Sequence, residues 1–205
     1  MKNKYFYKSN NFYHGIMFHH FHDGINYKKG EGSISGQQLI NVINFIGKKN
    51  ILSGDIFIKK IINKSIKKKE VCLTFDDASM DQINIALPIL RKLKIKAIFF
   101  IHTSVFEKSN NNLELFRYFR LNYSGGKNKY FKDFFRLVKS KHKKITKNDL
   151  NNFLLLHKKT IQFTHKKFPF YSLIDIKFRL IRDKFLNLKD YQLINLQLMK
   201  KQKFN

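Results

Sequence analysis

Two hydrophobic periods alternate along the first half of the chain. Gly15 to His20, GIMFHH, is a short apolar run bounded by Gly and by Asp23-Gly24, and it reads as a buried strand. The polar, glycine-rich stretch DGINYKKGEGS that follows is a loop. Ser35 and Gln38 have capping-box spacing, and Leu39, Ile40, Val42, Ile43 and Ile46 then recur at helical intervals up to Gly47. Ile51 and Leu52 suit a minor strand, and Ser53 opens a second amphipathic helix through Ile56, Ile58, Ile61 and Ile62. Val71 to Phe75 is a second buried strand. Helical spacing resumes from Asp81 to Leu93, with Pro88 expected to kink or interrupt it. Lys96 to His102, in KAIFFIH, is a third strand. Strand, helix and strand at this spacing form a βαβ unit, which implies parallel pairing and a right-handed crossover.

Beyond His102 the texture changes. EKSNNN reads as a loop, and helical patterns cover Leu113 to Arg120, Lys129 to Lys141, Lys147 to Lys158, Leu173 to Leu186 and Asp190 to Lys201. Thr146 with Asp149, and Ser172 with Asp175, have the look of helix caps. NYSGGKN is a flexible turn, and Pro169 breaks the chain before Ser172. The expected organisation is an α/β part over residues 1–106 and a helical insert or extension of the same domain over residues 107–205.

Composition adds a strong bias. The 205 residues carry 41 Lys and Arg against 14 Asp and Glu, a formal charge of +27. Such a charge favours anionic glycan, acidic membrane surface or nucleic acid as partner. The lysines are spread from Lys2 to Lys203, however, with no RNA-binding aromatic motif, helix-turn-helix pattern or zinc-finger spacing, so nucleic acid is the lesser expectation. The single cysteine, Cys72, lies in an apolar run, which excludes an intrachain disulfide and suits a small core residue. No apolar stretch approaches the ~20 residues of a membrane span, and the basic N-terminus lacks the apolar core of a signal peptide. Cytoplasmic residence is expected.

The candidate chemistry lies in VCLTFDDASMDQ. Asp76 and Asp77 leave a strand at its carboxyl end, where ligand and catalytic residues gather in parallel α/β folds. His19 and His20 leave GIMF there, and His102 leaves KAIFFI there. Spacing alone favours a plainer reading, in which Asp77 or Ser79 caps the following helix and Asp76 is a solvated turn residue. Strand alternation would also send His19 and His20 to opposite faces. His142, His157 and His165 read as surface or packing residues.

VCLTFDDASMDQINIALPILRKLKIKAIFF resembles the N-terminal signature of the polysaccharide deacetylases, the NodB-homology group: a strand ending in Thr-Phe-Asp-Asp-Gly, a helix and a Phe-rich strand. GIMFHHFHD is similar to that family's opening strand, with His19 and Asp23 in matching places, and KFRLIRDKF resembles a segment of its long-insert members. The resemblance implies an α/β fold forming a partial distorted (β/α) barrel with a largely helical C-terminal half. It makes Asp76 the catalytic base and Asp77 a ligand of a divalent metal, with zinc expected and His19 a weaker candidate ligand. Metal-bound water, deprotonated by Asp76, would then remove an acetyl group from a polysaccharide or oligosaccharide.

Two departures stand out. Ala78 replaces the motif's Gly, a mild change unless the position needs a positive φ. No two of the eight histidines are four residues apart, so the family's His-Ser/Thr-x-x-His metal motif has no counterpart. HTSVF, with Phe106 in place of the second His, is a decoy. The expectation is a deacetylase-like hydrolase, truncated before that motif and inactive alone. The alternative is a non-catalytic basic protein that binds anionic glycan, membrane surface or nucleic acid.

Overall fold

The computed structural model describes residues 14–103, 112–141 and 147–204. The chain divides into two compact units, Met1–Ser109 and Asn110–Asn205.

The first unit is mixed α/β. Strands β1 (Gly15–Phe18), β4 (Cys72–Phe75) and β5 (Ile98–Phe99) form a parallel sheet in the order β1-β4-β5. Between β1 and β4 the chain makes β2 (Phe21–His22), β3 (Ile34–Ser35), α1 (Gly36–Ile46) and α2 (Gly54–Ile62). Helix α3 (Leu87–Lys92) connects β4 to β5. Three parallel strands make an open sheet, and no closed barrel is present among the described residues.

The sheet is short because its apolar segments are short. In β1 only Phe18 is buried and Met17 is 63% exposed, so the expected buried strand GIMFHH ends before its histidines. The strand expected over Lys96 to His102 contracts to Ile98 and Phe99, opposite Thr74 and Phe75. The loop expected over Asp23 to Ser33 forms, and it brings Phe21 and His22 alongside Ile34 and Ser35, a small parallel pair. Ile51 bridges Val71, the minor strand reduced to a single pair.

Phe75 organises the core of this unit. It is fully buried, with ring centroids 5.2 Å from Phe18, 4.7 Å from Phe99 and 6.0 Å from Phe21, in near-parallel stacks. Leu39 and Ile43 of α1, with Ala86 and Leu90, close over it. Cys72 is also buried, and burial pushes its thiol pKa up, as a packing residue requires. The capping box at Ser35 and Gln38 forms as expected, and Gly47 ends α1 at a φ of 80°. Gly54 starts α2 where a Cβ would sit 2.6 Å from Ile98, so the close approach of α2 to β5 needs glycine.

Pro88 marks a change of winding, not an end of the helix. The turn before it, Gln82–Ala86, is wound as a π-helix, and α3 continues with Pro88 in its first turn. Winding one residue wider removes the need for the amide that proline lacks.

The second unit is helical: α4 (Leu113–Leu121), α5 (Gly126–Lys141), α6 (Lys147–Leu156), α7 (Lys158–Lys167), α8 (Leu173–Leu180) and α9 (Leu188–Lys201). A π-helical turn, Ile181–Phe185, prolongs α8. The helix expected over Lys147 to Lys158 breaks at His157, whose ring nitrogen and amide both turn back to the Phe153 carbonyl. Helix α7 was not legible, because it buries only Ile161 and lacks an apolar stripe. The caps at Ser172 and Asp175 form as a capping box. Thr146 of the other expected cap, His142, Phe106 and most of EKSNNN lie outside the described residues.

Aromatic rings fill this core. Tyr130, Phe131, Phe134 and Phe178 are buried and in mutual contact, and the Tyr130 hydroxyl donates to Asn195 Oδ1 at 2.7 Å. The Tyr123 hydroxyl donates to Asp133 at 2.8 Å, and burial together with that carboxylate pushes the phenol pKa up to about 12. Among the described residues no helix is long and apolar enough to cross a membrane.

Removing the Ser35 hydroxyl leaves the Gln38 amide without its cap. Ser35→Ala is expected to lower stability by about 1 kcal/mol. Urea denaturation followed by circular dichroism should show a lower midpoint at unchanged slope.

Candidate active site

The register of the sheet brings the candidate residues together. Phe18 pairs with Phe75, and the Asp76 amide donates to the Phe18 carbonyl at 3.0 Å. The residues leaving β1 and β4 therefore emerge side by side at the carboxyl edge of the sheet. His19 Nε2 lies 2.9 Å from Asp77 Oδ2, and its Nδ1 lies 3.9 Å from Asp76 Oδ2. All three side chains are half-exposed, accessible to solvent and to a ligand.

The turn after β4 aims these carboxylates. Asp77 has φ 70° and Ala78 has φ 46°, both left-handed. Ala78 thus occupies a conformation that glycine adopts freely and a Cβ disfavours, so the substitution noted in the motif carries strain. Helical winding begins at Met80. Asp77 faces His19 and does not cap that helix.

Beneath the rim lies a second polar layer. His20 is 9% exposed and packs edge-on against His19, with ring centroids 4.3 Å apart. The two histidines leave the strand toward different carboxylates, since His20 Nδ1 lies 3.8 Å from Asp81 Oδ2. Asp81 also accepts the Phe21 amide at 2.6 Å and the Ser79 hydroxyl. Burial pushes its pKa up, but His20, Ser79 and the Phe21 amide outweigh this and hold it at about 2.

Gln82 is fully buried. Its side-chain amide donates to the His19 carbonyl at 2.6 Å and to the Asp76 carbonyl at 2.5 Å. One side chain thus ties together the two backbone segments that present the rim. The sequence reading did not mark Asp81 or Gln82. The available signal was Gln82 at four-residue spacing with Ala86 and Leu90, a polar residue on the stripe that faces the core.

Other marked residues stand elsewhere. Asp23 accepts the amides of Ile25, Asn26 and Tyr27, which order its own exposed loop and hold its carboxyl pKa down. His22 contacts the Ser33 hydroxyl at 2.9 Å, and burial, with Lys29 nearby, lowers its pKa. His102 lies exposed just beyond β5. His157 and His165 contact backbone carbonyls at 2.9 Å, consistent with packing roles.

Asp77 and His19 offer two donors 2.9 Å apart, a separation that suits neighbouring positions around a divalent ion. No group of three or more His, Cys, Asp or Glu side chains that could hold a metal occurs among the described residues. These residues alone do not fit a complete metal site.

Residues 63–136 match the polysaccharide deacetylase family. The chain thus carries a segment similar to polysaccharide deacetylase domains, over about a third of its length. Among solved structures it is similar to a de-N-acetylase from Aggregatibacter actinomycetemcomitans, at 23% identity and a TM-score of 0.39. That similarity covers 47% of this chain and 40% of the other, so the chain spans less than half of that protein's length. No curated protein matches the chain.

Ala78→Gly is expected to stabilise the protein by about 1 kcal/mol by relieving the left-handed turn, read as a higher midpoint of thermal unfolding. Asp81 gives a pH test. Its folded pKa of about 2 lies below the ordinary carboxyl value of 3.8, so its contribution is present above pH 4 and is lost as pH falls toward 2. That contribution is about 2 kcal/mol. Asp81→Asn should be less stable at neutral pH and show a correspondingly shallower loss of stability between pH 4 and pH 2.

Proposed function

We propose that this protein is a deacetylase-like hydrolase acting on an acetylated polysaccharide or oligosaccharide, with Asp76 as general base. The supporting observation is the cluster of His19, Asp76 and Asp77 at the carboxyl edge of β1 and β4, whose two carboxylates lie in the segment that matches the polysaccharide deacetylases. Asp77 is engaged at 2.9 Å by His19, whereas the nearest imidazole nitrogen to Asp76 stands 3.9 Å away. Asp76 is thereby the freer carboxylate of the pair and the better placed to take a proton.

In the proposed reaction a water oxygen adds to the acetyl carbonyl carbon as Asp76 accepts the water's proton. Collapse of the adduct breaks the bond to the sugar nitrogen or oxygen. The leaving group takes up a proton and acetate is released. Asp77 and His19 are proposed as two of the donors for a divalent cation, zinc being the expected ion.

The test is acetate release from an N-acetylated oligosaccharide, assayed with and without added zinc. Asp76→Asn should lower the rate by ~100-fold or more at unchanged fold, the usual scale for losing a general base. A wild-type chain that releases no acetate under either condition would overturn the proposal that it is a hydrolase by itself.

A further inference from the structure

A groove in the helical unit, separate in kind from the carboxylate rim, combines apolar walls with amines. Two adjoining hollows of about 340 and 550 Å³ share Asn151, Leu154, Leu173 and Lys177. Their floor and walls come from α5, α6, α7 and α8. Leu155, 66% exposed, and Leu173, 48% exposed, stand at the lining unpacked by the core. The polar groups are as telling as the apolar ones. Lys139, Lys158 and Lys177 line the hollows, and among the described residues no acidic side chain does.

Nearby sequence repeats this combination. Helix α7 buries only Ile161 yet ends in His165, Lys166 and Lys167 and carries Phe163, 67% exposed. The turn that follows bears Phe168 and Phe170, 38% and 54% exposed. Such a mixture is costly to leave in water, because each exposed apolar side chain orders solvent. It suits an interface where apolar groups enter an acyl layer while lysine stems lie along it and their amines reach anionic headgroups.

We propose that this groove and α7 form a docking surface for an anionic phospholipid bilayer. The apolar lining supplies insertion. The lysines supply selection for negatively charged lipid, by charge complementarity with phosphate. A soluble polyanion would satisfy the lysines but leave Leu155 and Leu173 in water, and a second copy of this chain would bring further positive charge to the same lysines. The proposal is independent of the hydrolase reading.

The chain contains no Trp, which makes a single introduced indole an unambiguous reporter. Full-length Leu155→Trp is titrated with phosphatidylcholine vesicles, with or without phosphatidylglycerol. A blue shift is expected only with phosphatidylglycerol. On that background, Lys139→Glu, Lys158→Glu and Lys177→Glu together should weaken partitioning by about tenfold or more. Reversal of Lys48, Lys49 and Lys59 to Glu in the α/β unit should weaken it far less. Leu173→Trp serves as a second reporter, and circular dichroism checks that each variant folds.

Several results overturn the proposal: no shift with anionic vesicles, or equal losses from the two triple reversals, which would reduce binding to net charge. An equal shift with heparin or an oligonucleotide would mark a polyanion site. A blue shift without vesicles that grows with protein concentration would mark a second copy as the occupant.

Discussion

The pairing of Phe18 with Phe75 is the constraint on which the rim depends. A parallel ladder fixes which residues leave neighbouring strands together, and a slip of one residue would turn every side chain to the opposite face. The stack of Phe18, Phe75 and Phe99 opposes such a slip, since each large ring fills the space beside the next. With that register held, His19 and Asp76 must emerge as neighbours. The polar chemistry at the edge is therefore set by an apolar contact one residue further in.

A second level of control comes from the first turn of the helix that follows β4. Asp81 receives the Phe21 amide and Gln82 holds the carbonyls of His19 and Asp76. These bonds satisfy backbone groups that the short strands leave behind where they end. The Gln82 carbonyl oxygen is itself buried without a partner among the described residues. The helix thus uses its polar side chains to bind strand ends, with its apolar positions Ala86 and Leu90 packing into the core on the same stripe.

Much of this was legible in the chain. The strands, the capping boxes at Ser35 and Ser172 and the adjacency of Asp76 with the GIMF strand follow from periodicity and spacing. Strand ends were not legible, because β1 and β5 stop where side-chain bonds and burial stop, and neither leaves a local pattern. Helix α7 has too little apolar periodicity to announce itself, and Pro88 announced an irregularity without showing that it would be a π turn. Asp81 and Gln82 looked like ordinary polar residues of a helix start. Only the packing shows that they face inward.

The left-handed backbone at Asp77 and Ala78 bears on the order in which the unit assembles. Two consecutive non-glycine residues in that region are locally unfavourable, so an isolated segment of β4 and its turn has little tendency to adopt the shape. Contacts that hold it come from afar in sequence: His19 lies 58 residues before Asp77, and Gln82 reaches across 63 positions to the His19 carbonyl. The turn can take its final form only once β1 and the helix are in place. Assembly of the carboxylate rim is then a late and cooperative event, completed with the packing of the sheet and not before it.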